Sequence, residues 1–199
     1  MIDLLKQAFN SGKGKMKLIK ESERKKVLLA FGFSTTFLDA IDNMDSIDEL
    51  FSNNISFPKG AYHYLPSLKN YSIYKGYNIV PICDVGQGDS FYTLLFNDHE
   101  QKIIYSEIEQ DKVYVDYGLN YQAFIVKELI HYYDLLDDEE AKNREEVIEK
   151  IRNLGVQLGM DKTIVVQAIQ RVFQAEDENE NRFTSDQNWF EQHILPLVQ

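Results

Sequence analysis

The stretch PICDVGQGDSFYTLLF, Pro81 to Phe96, decides the fold of this 199-residue chain. Both halves are rich in strand formers, and between them Gly86 and Gly88 supply the positive φ that a tight turn needs. Asp89 is expected to accept backbone N–H groups and hold that turn. Phe91 to Phe96 has few polar residues, which predicts a central strand covered on both faces. Working outward, Tyr71–Tyr74, Asn78–Cys83, Ser90–Asn97, Lys102–Ile108 and Lys112–Tyr117 read as strands of aromatic and β-branched residues. The links at Asn97-Asp98 and Gln110-Asp111 are short enough to force antiparallel neighbours.

On either side the apolar period turns helical. Ile2, Leu4, Leu5, Ala8 and Phe9 share one face, and NSGKG at Asn10–Gly14 ends that helix. Further helices are expected over 21–31, 34–43 and 45–53, the last with Ser46 and Glu49 as a capping box. After Tyr121, the residues Phe124, Leu129, Ile130 and Tyr133 mark an amphipathic helix, followed by an acidic boundary at 137–140. Three more helical segments cover about 141–158, 162–174 and 186–197. Asp161 is the N-cap of the second, Thr184 with Gln187 caps the third, and EDENEN at 176–181 is a solvated loop. Helices, antiparallel sheet, then helices make an α+β protein. The expected organisation is an N-terminal helical segment with a basic arm (1–54), an α+β core (55–138) and a C-terminal helical extension (139–199).

Hydrophobic residues at 44% and twelve each of Phe and Tyr provide for a largely aromatic core. The single cysteine, Cys83, excludes an internal disulfide framework and is expected to be a buried, inert thiol. With no apolar run of membrane-spanning length and no secretory start, the expected location is cytoplasmic. Net charge is −11, unevenly spread. Residues 1–26 hold eight Lys/Arg against three Asp/Glu, a net of +5, and the remainder carries −16. Such a body repels nucleic acid and attracts basic partners.

No motif reads as catalytic, and no cofactor or metal is expected. Gly12-Lys13-Gly14-Lys15 lacks the spacing and the preceding strand of a phosphate loop. Asp84 and Asp89 fall short of a calcium loop. His63, His99, His131 and His193 have no second ligand at metal spacing. Glu107 and Glu109 alternate, so a strand would present both on one side, and Asp111 and Asp116 lie close in sequence. This set reads as an acidic sheet edge, either a solvated face or a partner-binding one. Trp189, Phe190, Ile194 and Leu195 form an apolar face on the terminal helix, which docks on its own core or anchors another subunit.

Pro81-Ile82 through Gly86-Gln87-Gly88-Asp89, then Phe91-Tyr92-Thr93-Leu94, resembles the SUKH superfamily of fungal cell-wall-synthesis regulators and bacterial immunity proteins. Lys102–Ile108 resembles the family's next strand, and Leu119 to Ile125 its helix entry, with Phe124 and Ile125 as the buried pair. The resemblance spans roughly Ile55 to Leu136. The family's early Leu-Pro-x-x-Tyr-x-x-Phe-Leu segment is not evident, and residues beyond about 140 exceed the usual short domain.

The resemblance implies a non-enzymatic binding fold, in its bacterial form an antidote that neutralises a toxin, often a nuclease, by stoichiometric binding. Glu107, Glu109, Asp111 and Asp116 are the expected electrostatic face, with Tyr62, His63, Tyr64 and Tyr114 as aromatic anchors. One alternative is an intracellular scaffold or regulator docking through the C-terminal helices. Another is an enzyme whose polar groups, Asp84, Asp89 and His63, converge in a pocket.

Overall fold

The computed structural model describes residues 15–43, 47, 49–52, 54–136, 143–178 and 187–198. Strands β3 (Asn78–Val85), β4 (Ser90–Phe96), β5 (Gln101–Glu107) and β6 (Val115–Asp116) run antiparallel in sequence order. β4 lies between β3 and β5, and every residue from Phe91 to Phe96 is buried, as its apolar run predicts. Gly86 and Gly88 both take positive φ, 57° and 84°, in the turn between β3 and β4. The far edge of β3 carries two short strands that no periodicity could announce. β1 (Lys17–Leu18) pairs parallel at Asn78–Ile79, and β2 (Ile55–Ser56) pairs antiparallel at Asp84–Val85. The sheet is therefore mixed at this edge rather than antiparallel throughout.

Between β1 and β2 the β3 edge is closed by a side chain. Pro81 has no N–H to offer a neighbouring strand, and β3 bulges between Pro81 and Cys83. Arg24 of α1 (Glu21–Ala30) fills the gap, donating from Nε to the Pro81 carbonyl (3.0 Å) and from Nη2 to the Ile82 carbonyl (2.6 Å). Its Nη1 pairs with Asp42 (2.7 Å), at the end of α2 (Thr35–Asp42), and the guanidinium lies over the Phe57 ring. A buried cation is tolerable because each of its three nitrogens is bonded and Asp42 pairs its charge.

The sheet separates two cores. Ile79, Phe91, Leu95 and Ile104 face Ala61, Leu65, Leu68 and Tyr74. That side is covered by a short helix after α3 (Glu49–Ser52), namely α4 (Lys59–Tyr64), and by a 3-10 turn at Ser72–Tyr74. The turn replaces the strand expected at Tyr71–Tyr74, because the Asp111 carboxylate accepts the N–H groups of Ser72 (2.6 Å) and Ile73 (3.1 Å). Asp84 caps α4 in the same way, accepting from Gly60 (2.5 Å) and Ala61 (2.9 Å). Burial raises the Asp84 carboxyl to about 6, against the pull of those two N–H groups. Asp89, expected to hold the β3–β4 turn, instead accepts from the Ser90 hydroxyl (3.2 Å), and the turn closes through the Gly88 N–H to the Val85 carbonyl (3.1 Å).

On the other face, Val80, Ile82, Tyr92, Leu94, Phe96 and Ile103 meet the larger core. This core is completed by α1, α2 and four helices: α5 (Tyr121–Leu135), α6 (Arg144–Gln157), α7 (Lys162–Asp177) and α8 (Gln187–His193). Ile19, Phe37, Phe124, Ile151 and Phe190 all belong to it, so the three sequence segments share one interior. Asn120 caps α5 through the Ala123 N–H, and Phe124 and Ile125 are fully buried. Asp161 caps α7. That helix runs past its expected end through Asp177, where both carboxylate oxygens take Arg144 (2.7 and 2.8 Å). Trp189, Phe190 and Ile194 are buried at the C-terminal end. The expectations for Met1–Phe9, the Ser46 cap, the 137–140 boundary and the Thr184 cap lie outside the described residues.

One close approach fixes how α4 meets the β3–β4 turn. A Cβ on Gly60 would stand 2.1 Å from the Gly88 carbonyl oxygen. Gly60→Ala is expected to cost about 3 kcal/mol, the upper end for overpacking, because the atom it meets is backbone and cannot rotate away. Gly86→Ala meets open space and pays only for its positive φ, roughly 1–2 kcal/mol. Urea denaturation of both variants checks the order, and equal costs would contradict the contact.

Candidate functional site

The pairing of β4 with β5 sets Tyr92 opposite Tyr105 and Ser90 opposite Glu107. Residues two apart share a face, so a tyrosine pair continues into a polar pair along one side of the sheet. Val115 pairs with Tyr105, extending the same face onto β6. α5 lies across this face, and of the two acids in its sequence YQAFIVKELIHYYDL, Asp134 is exposed and Glu128 sits among buried apolar residues.

Between sheet and helix is a cavity of about 340 Å³. Tyr92, Tyr117 and Glu128 are its buried members, and Tyr105, Tyr114, Val115, Lys127 and His131 its half-exposed ones. Glu128 is 5% exposed. It accepts the Tyr92 hydroxyl at 2.5 Å and the Asn54 amide at 2.7 Å, and His131 Nδ1 lies 3.8 Å away. The Tyr92 ring stacks on Phe124 with centroids 4.5 Å apart. Among the described residues the buried Tyr117 hydroxyl has no hydrogen-bond partner. The Tyr92 phenol is near enough to influence it, yet the two make no bond of normal geometry. Lys127 is turned to Gln187 Oε1 (2.8 Å) and to the Phe190 ring.

Burial and nearby carboxylates act together here. Desolvation pushes the phenols of Tyr92, Tyr105 and Tyr117 up, and Glu128 pushes all three further. Glu107 and Asp89 add to the effect at Tyr105. Burial also raises Tyr114, followed by Glu107 and Glu109. The Glu128 carboxylate, 3.8 Å away, raises His131 above its ordinary 6.5, against desolvation.

Next to the tyrosines is a second, acidic cleft of about 230 Å³, lined by Asp89, Ser90, Glu107, Ile108 and Glu109. Glu107 closes β5 and Glu109 lies in the turn beyond it, so the two acids meet without both being on the strand. Tyr114 stands beside them, its ring against Tyr105 at 5.9 Å. The other expected interface residues are elsewhere. Asp111 caps the turn on the opposite side of the sheet. Asp116 pairs with Ile104 of the second core and accepts the Gly118 N–H (2.9 Å). Tyr62, His63 and Tyr64 lie on α4. Tyr62 is half-buried near Arg24, and the exposed His63 packs edge-on against Tyr64 at 4.8 Å. The eight residues expected to form one face are therefore divided between the two sides of the sheet.

Tyr92, Tyr105, Tyr117, Glu128 and His131 were not among the expected binding residues. The signal was present: tyrosines on three neighbouring strand segments, and a glutamate among the apolar residues of the helix 121–135. Cys83 is fully buried, which raises its thiol well above the ordinary range. Among the described residues no acid, His or Cys group is arranged to hold a metal ion, and no helix is long and apolar enough to cross a membrane. No protein-family profile, curated protein or solved structure matches the chain.

The His131–Glu128 contact is open to direct measurement. The His131 imidazole is expected to titrate above 6.5 by NMR, and Glu128→Gln to move its midpoint down. Because the folded-state pKa is raised, the contact stabilises the fold at low pH and that contribution is lost as pH rises through the folded value. A midpoint unmoved by Glu128→Gln would contradict the pairing.

Proposed function

We propose that this chain is a non-enzymatic binding protein of the immunity type, which neutralises a basic toxin, such as a nuclease, by stoichiometric contact. The observation that carries the reading is the meeting of Asp89, Glu107 and Glu109 around one cleft beside Tyr114 and Tyr105. Carboxylates at a rim with aromatic anchors behind them suit a cationic protein surface, because rim charge steers encounter and buried aromatics hold the complex. The −16 of residues 27–199 adds a long-range field of the same sign. A nuclease surface is typically basic, since it must approach phosphates, and an acidic cover matches it.

The scaffold alternative relies on the apolar C-terminal helix. Trp189, Phe190 and Ile194 are packed into the core, so a partner would have to undock α8 to reach them. The enzymatic alternative relies on Asp84, Asp89 and His63. Asp84 is engaged with two backbone N–H groups, Asp89 with Ser90, and His63 with the Tyr64 ring.

Capture on the immobilised protein, with and without added salt, is expected to retain a basic partner at one-to-one and to abolish that partner's activity. Glu107→Lys with Glu109→Lys is expected to slow association about tenfold at low salt. An on-rate and affinity unchanged at low salt would overturn the assignment of this face.

A further inference from the structure

We propose that the tyrosine-lined cavity over Glu128 is a binding site for an organic cation bearing N–H donors, an alkylguanidinium or alkylammonium group. This goes beyond the immunity reading and stands without it.

Three observations converge. The floor holds a buried carboxylate, and a carboxylate oxygen has lone pairs beyond the single bond each receives, from Tyr92 to one and Asn54 to the other. Beside it the Tyr117 hydroxyl, on a side chain 8% exposed, lines the cavity without a partner. A buried polar group left unbonded is costly, and a ligand N–H donated to it removes that cost. The walls are lined by Tyr92, Tyr105, Tyr114 and Tyr117, and aromatic rings attract cations in a water-poor setting.

The charges around the site also decide the sign. Glu128, Glu107 and Asp89 act on Tyr105, Glu107 and Glu109 on Tyr114, and Glu128 and Glu191 on Tyr117. Against these stand Lys127, held by Gln187 and Phe190, and Lys112, 4.7 Å from the Tyr114 ring centroid at the rim. His131, 3.8 Å from Glu128, is the group that a ligand cation would displace from the carboxylate. The volume, about 340 Å³, is near the lower limit of small-molecule sites and suits one side chain or a small amine rather than a large cofactor.

The test uses the intact protein and N-butylguanidinium, with uncharged N-butylurea as the shape control, in titration calorimetry and tyrosine-ring NMR. Saturable binding of the guanidinium alone, with shifts at Tyr92, Tyr105 and Tyr117, is expected. Tyr117→Phe removes a hydroxyl that has no partner among the described residues, so its melting temperature is expected to hold while affinity falls several-fold. Glu128→Gln is expected to lose binding at least tenfold. A blocked Gly-Arg-Gly peptide distinguishes the sources. Tighter binding of the peptide assigns the site to a partner's side chain, and tighter binding of the free cation assigns it to a small metabolite. Absence of saturable binding at millimolar guanidinium, equal binding of the urea, or full affinity in Tyr117→Phe would each overturn the proposal.

Discussion

The constraint around which the candidate site is organised is the burial of Glu128. A carboxylate removed from water must be bonded, and this one reaches from α5 to Tyr92 on the central strand and to Asn54 beside β2. Those bonds fix the register of α5 over the sheet, and with it the cavity between them. An apolar side chain at this position would serve stability as well or better, since a buried charge seldom gains more than its desolvation costs. Its presence is accounted for by the reading in which it receives a cation.

Two further polar devices hold the frame that carries the site. Arg24 closes the gap that Pro81 and the bulge leave on the β3 edge, linking α1 and α2 to the sheet. Asp84 draws the start of α4 against the Gly86–Gly88 turn, close enough that Gly60 admits no side chain. With both edges of β3 and the second core secured, β4 and β5 are free to present Ser90, Tyr92, Tyr105 and Glu107 toward α5. The acidic cleft then lies at the open end of the same ladder, which makes the two cavities neighbours on one face.

Much of the architecture was legible where a residue run had a period and a length. The apolar stretch Phe91–Phe96 and the helix 121–135 are cases in which burial dictates pattern. β1 and β2 were illegible because two residues have no period, and α4 because its start is capped from Asp84, 23 to 24 residues on in sequence. The strand expected at Tyr71–Tyr74 became a 3-10 turn for the same reason, through Asp111. At the candidate site, proximity in sequence misled: Glu107, Asp111 and Asp116 are close along the chain, yet pairing sends them to different sides of the sheet. Glu128 was the reverse case, a charge whose significance depends on the strand it faces.

The measurement that bears most directly on the placement of the binding face is hydrogen–deuterium exchange of the chain alone and in complex with its captured partner. The account predicts slowed exchange at residues 89–92, 105–114 and 127–131, with 187–198 unchanged. Protection confined to 187–198, with the tyrosine face exchanging as in the free protein, would contradict it.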